Sequence, residues 1–579
     1  MKRNYDSINQ FNVSTLMKYV LKFKLEFILA TVFNILFSLI VVGYAEMFRV
    51  FFDDAQAGHL SNIKSNIFLI ILMIVCQTIF HYIASRNTHK LYLKLREYLQ
   101  KESIYYVMDG DIREVRNYHT GELISISLND VDQVANLGST VLIRALHIIF
   151  KTVIFIVYLL KINLILGLVS LIFGPILLLL GKMFSLKIER ASSKSSEANA
   201  MVTATTSELF DKFELFKIND TSTYLKSRLD CLFKTKYKID NIYDKYYKSY
   251  DELSSAIGQV ANVSVLSIGA YLIAVGELTT GTLVAFMQIV NQIIWPLVTL
   301  NSYIASYSSV KAKFERLNIV RNFTKHSSSF NVHTDQSALR FSNVSFSYQS
   351  EQVFDDINFE IEKGEFVLLV GGNGVGKTTL IKLIAGLYKP SNGIISFNQN
   401  DYEKQKQSNI NYIMQSNNLF MGSIKENIIF DNKTSAQDDI YSLFESMDLD
   451  NDFSDGLNTK LSQNSVNISG GQKQKVALLR GFLKNSQLVL LDESLSAIDI
   501  ESKLRIKKLL FEYIDSKTTI VINHDFDMVE KVDSILYING KGEVFKEKHN
   551  DLLMSNQEYK DFFSKRLSKS VKSHWLFDN

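Results

Sequence analysis

Apolar residues are spread unevenly along the 579-residue chain. Long apolar runs recur in the first half, whereas the second half mixes apolar and polar positions as a water-facing domain does. A membrane-spanning helix needs about 20 mostly apolar residues. Six runs meet that requirement, at 26–47, 67–85, 140–160, 164–183, 257–275 and 283–305. A buried core helix is the alternative for any one run, but six runs of consistent charge polarity predict a polytopic membrane domain.

The first, third and fifth connections between these runs are short, and the second and fourth extend over dozens of residues, so the two long ones share a side. Basic residues mark that side as cytoplasmic. The N-terminal tail carries Lys2, Arg3, Lys18, Lys22 and Lys24. One long connection adds Arg86, Lys90, Lys94, Arg96 and Lys101, and the other Lys187, Arg190, Lys194, Lys212 and Lys217. The short connections, with Asp53, Asp54 and Lys64, then Lys161, then Glu277, are expected outside. Stretches 87–108 and 195–219 lack Pro and Gly and space their apolar residues helically, so the membrane helices should continue into the cytoplasm.

Composition narrows the picture. The 63 basic and 60 acidic residues leave a net charge of +3, no surplus for binding nucleic acid. Two cysteines, Cys76 and Cys231, suggest neither a disulfide framework nor a cysteine metal site. The first apolar run has no small-residue cleavage pattern and reads as an anchor rather than a signal peptide.

The membrane domain is expected over 1–324, a polar linker over 325–338, a second domain over 339–565 and a short tail over 566–579. In the second domain a strand pattern at 366–370 leads into Gly371, Gly372, Asn373, Gly374, Val375, Gly376, Lys377 and Thr378, then a helical pattern from Thr379. Glycines let backbone N–H groups curl around phosphate oxygens, and the following helix aims its positive end at them. Lys377 would reach the β- and γ-phosphates, and Thr378 would ligate Mg²⁺. A second buried-strand pattern, 488–491, ends in Asp492 and Glu493. Such a pair can be a solvated turn. Beside a phosphate loop, Asp492 is expected to hold Mg²⁺ largely through water, and Glu493 to polarise the attacking water.

Between these elements runs Ile468-Ser469-Gly470-Gly471-Gln472-Lys473-Gln474-Lys475. With this segment the chain resembles the ATP-binding cassette exporters. The resemblance extends to Thr120-Gly121-Glu122-Leu123 with Asn129-Asp130-Val131, and to Gly276-Glu277-Leu278-Thr279 with Gly281-Thr282-Leu283 and Pro296-Leu297. It implies a six-span helical domain with long cytoplasmic extensions, followed by an α/β P-loop nucleotide-binding domain with a helical subdomain. It further implies that Ser469, Gly470, Gly471 and Gln472 face ATP held by a partner cassette, and that Tyr348 stacks on adenine. Gln415 would sense Mg²⁺, Ser496-Ala497-Ile498-Asp499 would communicate across the dimer, and His524 would contact the γ-phosphate. Alone, Tyr348 or His524 would more often be structural.

The resemblance also implies short coupling helices at 109–116 and 209–216, for which surface packing is the alternative. The expected partners are a second copy of the chain, with a heterodimer as the alternative, membrane lipid, and an exported substrate. ATP and Mg²⁺ are the expected cofactors, and a bacterial plasma membrane the expected location. The substrate is expected to be a peptide, antimicrobial peptides included, or an amphipathic compound, with a lipid or drug as the alternative. No cargo-processing protease domain is expected ahead of residue 26. An ATP-gated sensor or channel is a third reading, against which intact Glu493 and His524 argue.

The pattern departs from the family at Leu461-Ser462-Gln463-Asn464-Ser465, which lacks the usual glycines and acidic residue. Looser coupling, and hence high basal ATPase activity, is expected from that change. Finally, Arg144, His147 and Lys151 lie three and four residues apart, on one helix face. With Gln288, Asn291 and Gln292 they are expected to line a polar cavity that accepts a substrate with an anionic part. In the alternative reading, Arg144 lies in the extension and Lys151 pairs with a carboxylate such as Glu46.

Overall fold

The computed structural model describes residues 13–218, 222–325, 331–333, 337–348, 351–398, 410–415, 419–429, 437–462, 465, 467–493, 495, 498–523 and 528–565. His524, Ser496, Ala497, Gln463, Asn464, most of 325–338 and all of 566–579 lie outside the described residues. The chain divides into two compact units, Met1–Lys325 and His326–Asn579.

The first unit is helical: α1 Val13–Val20, α2 Lys24–Ala57, α3 Leu60–Asp109, α4 Ile112–Arg116, α5 Thr120–Ile124, α6 Val131–Asn136, α7 Leu142–Ile162, α8 Leu164–Asp211, α9 Phe213–Ile218, α10 Ser222–Ala274 and α11 Thr280–Arg321. π-Helical turns at Ser125–Asp130 and Leu137–Val141 join α5, α6 and α7 into one continuous rod. Among the described residues five helical stretches are long and apolar enough to cross a membrane: Ser14–Ala57, Leu60–Asp109, Thr120–Ile162, Leu164–Phe210 and Thr223–Ala274. The sixth expected run, 283–305, lies within α11, where several side chains are outside the described residues.

Length shows where these helices must leave the bilayer. At about 1.5 Å per residue, the 50 residues of α3 and the 53 of α10 far exceed a hydrocarbon core of roughly 30 Å. Their apolar portions expose Ile71, Leu72, Ile79, Val260 and Val263, as lipid-facing surfaces do. Two cores result. Leu91, Leu95, Leu99, Ile126, Val134, Phe314 and Leu317 pack where α3, the rod and α11 meet. Beyond the bilayer, each such buried side chain contributes roughly 1.5–3 kcal/mol. The other core, with Val41, Phe155, Leu166, Val265, Phe286 and Ile289, lies among the apolar spans. There lipid is as apolar as the core, so close packing and polar contacts hold the helices together. At one such contact the Gly281 N–H donates to Asp53 Oδ1 (3.1 Å). A Cβ on Gly281 would lie 2.1 Å from the Arg49 carbonyl oxygen, so only glycine lets α11 approach α2 there.

The second unit contains β1 Asn331–His333, β2 Ser337–Tyr348, β3 Glu351–Glu362, β4 Phe366–Gly371, α12 Lys377–Ile384, β5 Asn392–Asn398 and β6 Ile410–Ile413. It continues with β7 Gly422–Ser423, α13 Ile424–Ile429, α14 Gln437–Ser446, α15 Leu449–Asp452, β8 Lys460–Leu461, α16 Gly470–Phe482 and β9 Leu488–Asp492. It closes with α17 Ile500–Ile514, β10 Thr518–Ile522, β11 Ser534–Ile538, β12 Val544–Glu547 and α18 His549–Ser555. The central sheet has the order β12-β11-β4-β10-β9-β6. All its pairings are parallel except β11 with β12. Covered on both faces, β9, β10 and β11 are buried along their whole length, as parallel strands require. A second sheet, β1-β5-β2-β3, includes Tyr348 at the end of β2.

Candidate functional site

The sheet order brings distant sequence segments to one edge. β4, β10, β9 and β6 are consecutive parallel neighbours, so the residues just beyond each strand gather at its carboxyl end, where open α/β sheets bind ligands. Gly371 closes β4, Asp492 closes β9, Glu493 follows it, and Gln415 lies two residues beyond β6. The strand β10 aims the chain at His524, which itself lies outside the described residues.

After β4 the chain turns through Gly374 (φ +82°) and Gly376 (φ +106°) into α12. A Cβ on Gly376 would lie 2.7 Å from Val353 Cγ1 and 2.8 Å from Phe354 Cζ, so glycine is required for both backbone angle and space. Lys377 curls back and its Nζ donates to the carbonyls of Gly371 (3.1 Å) and Gly372 (2.7 Å), which holds the ammonium at the mouth of the loop. Thr379 is buried, and its hydroxyl is 3.1 Å from the hydroxyl of half-exposed Tyr348. Tyr348 stands edge-on to Phe346 and Tyr388, with ring centroids 5.0 and 5.7 Å away.

The carboxylates occupy contrasting environments. Asp492 is buried, and burial raises its carboxyl above the usual carboxylate range. The nearby Glu493 charge adds to that rise, while the Tyr412 and Thr378 hydroxyls and the Lys382 charge oppose it. Tyr412 Oη donates to Asp492 Oδ2 at 3.1 Å. Glu493 has a left-handed backbone (φ +46°), fixed by its N–H donating to the Ile522 carbonyl (3.1 Å) and by Gln474 Nε2 donating to its own carbonyl (3.4 Å). Gln415 Nε2 donates to Glu493 Oε2 at 2.7 Å. Thr378, Gln415, Asp492 and Glu493 are therefore brought together.

Ser469, Gly470, Gly471 and Gln472 form a second group, at the start of α16. Ser469 caps α16 in a reciprocal box: its hydroxyl accepts from the Gln472 N–H (3.2 Å), and its own N–H donates to Gln472 Oε1 (2.9 Å). Gln472 and Lys475 both reach Asp452 at the end of α15. A Cβ at Gly470 would meet nothing within 4 Å, so this helix end is open. Just upstream, the Ser462 N–H and hydroxyl both donate to Asn467 Oδ1 (2.9 Å each).

Sequence reasoning missed Tyr412 and Asp452 and assigned no role to Gln474 within the 468–475 segment, since their roles arise from strand order and helix packing.

In the helical unit a cavity of ≈ 790 Å³ lies between α2, α3, α7 and α11. Arg144, His147, Lys151, Asn291 and Gln292 line it, together with His81 and His89 of α3, which the sequence had not singled out. Gln288 does not: it is exposed one turn away on α11. The expected alternative of a Lys151–Glu46 pair is also incorrect. Lys151 Nζ donates to Gln292 Oε1 (2.6 Å), and Glu46 is held by Arg49 and the Tyr158 hydroxyl.

Comparison with known proteins accords with both units. The family model described as ABC transporter transmembrane region matches residues 25–297, and that described as ABC transporter matches residues 354–496. A Rickettsia felis protein named as an export ATP-binding/permease protein is 26% identical, covering 96% of this chain and 98% of its own length. A Bacillus subtilis protein named as a multidrug export ATP-binding/permease protein is 26% identical over 83% of this chain and 84% of its own. The Bacillus subtilis ABC transporter ATP-binding protein YknU is 30% identical over 55% of this chain and 56% of its own. With a transmembrane region and an ATP-hydrolysing cassette in one polypeptide, the chain belongs to the ABC exporter family as a half-transporter.

Proposed function

We propose that two copies of this chain export an amphipathic compound or peptide across a cell membrane, driven by ATP sandwiched between their cassettes. The observation that carries this reading is the open end of α16. One cluster gathers at the sheet edge, while Ser469 caps a helix end at which a Cβ on Gly470 would meet nothing within 4 Å, leaving that end open to the nucleotide of a second copy. In each composite site, Tyr348 stacks on the base, and residues 371–379 enclose the phosphates. The partner chain supplies its own Ser469, Gly470, Gly471 and Gln472.

Hard oxygen donors suit Mg²⁺. The Thr378 hydroxyl and the Asp492 carboxylate interact at the strand edge, and the Gln415 carboxamide is alongside Glu493. These three residues would hold the ion, Asp492 largely through water. When bound, the ion neutralises developing charge on the phosphates. Glu493, aimed by Gln415, takes the proton of the attacking water, and His524 is assigned to the γ-phosphate. ATP-driven closure of the cassettes shifts the membrane helices from inward- to outward-facing, and hydrolysis resets them. The basic N-terminal tail and long helical extensions support a cytoplasmic location for the cassettes.

Complementation tests the shared site. Chains carrying Lys377→Ala alone or Ser469→Arg alone should each lack ATPase activity. A mixed dimer reconstitutes one site from the intact loop of one chain and the intact α16 end of the other, so activity should return on mixing. No recovery in verified mixed dimers would contradict the shared site.

Acid sensitivity tests the metal assignment. A raised Asp492 pKa means that protonation sets in at higher pH than for an ordinary carboxylate, and only the ionised form attracts Mg²⁺. The acid limb of the ATPase pH profile should therefore lie above the usual carboxylate range at low Mg²⁺ and move to lower pH as Mg²⁺ rises. A limb independent of Mg²⁺ would count against Asp492 as a ligand.

Basal turnover tests the departure at 461–465. Its described part is fixed within the cassette by Asn467 and by buried Leu461 and Ser465. Looser coupling predicts substantial ATPase activity in purified protein without substrate. Near-silence until substrate is added would contradict it.

A further inference from the structure

Resting on the export reading, we propose that the membrane cavity selects the anionic head of an amphipathic substrate, a phosphate or carboxylate on an apolar chain. The ionisable side chains on its described walls are all bases. His81 and His89 from α3 and Arg144, His147 and Lys151 from α7 line it, and among the described residues no aspartate or glutamate does. Carboxylates of α2, the helix that contributes Asn34 to the cavity, have partners of their own. Glu26 is bound to Lys94, Glu46 to Arg49 and Tyr158, and Asp53 to the Gly281 N–H and the Thr279 hydroxyl.

Lys151 is 8% exposed, and its ammonium donates to the neutral amide oxygen of Gln292. A buried ammonium without a counter-charge is costly, and ionisable groups at membrane depth face a cavity or a partner. Arg144 makes no hydrogen bond or ion pair among the described residues, so its planar donors are available for a bidentate contact with an oxyanion. His147, on the same helix face as the two cations, is anchored by Ser38, 3.1 Å from its Nε2. An apolar wall adjoins this cluster: Ile143 and Ile148 line the cavity, and the Phe37 ring lies 5.3 Å from His81 and 5.8 Å from His147. The volume, ≈ 790 Å³, falls within the roughly 300–1,000 Å³ of small-molecule sites. An amphiphile with an anionic head fits this cavity better than a folded peptide.

The test uses the full chain in nanodiscs of neutral phosphatidylcholine, without nucleotide, with empty discs subtracted. Radiolabelled dodecyl phosphate and laurate should bind saturably, and their relative affinities distinguish phosphate from carboxylate selection. Dodecyltrimethylammonium should not bind saturably. Lys151→Met and Arg144→Gln should each weaken binding of the preferred anion by about tenfold or more, and Lys151→Glu should shift preference toward the cation. Arg144 is exposed, so its variant guards against a folding artefact at buried Lys151. Equal binding of cation and anion, or wild-type affinity in both the Met and Gln variants, would overturn the proposal. Because no nucleotide is present, failure of anion binding overturns this inference alone. Loss of ATP-driven flux with anion binding intact would count against export.

Discussion

Replacing Glu493 by glutamine is expected to lower ATP hydrolysis by about 10²–10⁴-fold, the usual contribution of a positioned general base. The geometry makes this a clean substitution. Glutamine has the same shape and can still pair with Gln415, and the backbone at 493 is fixed by Ile522 and Gln474 rather than by the side chain. What glutamine cannot do is accept a proton from water. Nucleotide affinity should stay within about twofold of wild type, since the phosphate loop is untouched, and the ATP-bound dimer should persist because it is no longer cleared by hydrolysis. Steady-state phosphate release and ATP-dependent cross-linking check both halves. Hydrolysis within about threefold of wild type would remove Glu493 from the proposed role.

Lys377→Ala should act at an earlier step, on binding itself. Losing one partner of a close charge pair typically costs 2–5 kcal/mol, which corresponds to roughly 30- to several-thousand-fold in affinity. Two effects combine here. The ammonium would no longer reach the phosphates, and the carbonyls of Gly371 and Gly372 would lose the donor that shapes the loop. Arginine should rescue poorly, because a planar fork does not replace a compact ammonium between two loop carbonyls. Equilibrium binding of a fluorescent ATP analogue separates this variant from Glu493→Gln, which should bind normally.

The nucleotide site was largely legible because its chemistry depends on short contiguous segments. Glycines at left-handed φ, a lysine at the helix start and an apolar strand ending in two carboxylates each leave a local trace. The box formed by Ser469 and Gln472 is likewise written into three consecutive steps of sequence. Tyr412 left no such trace, and Gln474, although inside the 468–475 segment, gave no sign of its role there. Tyr412 reaches Asp492 only because β6 lies beside β9, and Gln474 reaches the Glu493 carbonyl only because α16 packs beneath the strand end.

The membrane cavity was half legible for a related reason. Arg144, His147 and Lys151 stand out as ionisable residues in an apolar run. His81 and His89 lie on a 50-residue helix already rich in polar positions, and only the meeting of α2, α3, α7 and α11 shows that they face the same space. The Lys151–Glu46 alternative failed because Arg49, one turn along α2, and Tyr158 already hold that carboxylate.

The central claim is that hydrolysis at Glu493 drives outward movement of substrate. Inside-out vesicles containing the wild-type chain, given labelled amphiphiles with anionic, neutral and cationic heads, test it most directly. The account predicts accumulation of at least one of them with ATP and Mg²⁺, none without ATP, and none with Glu493→Gln. Accumulation that persists in Glu493→Gln, or ATP hydrolysis with no ATP-dependent accumulation of any of the three, would contradict it.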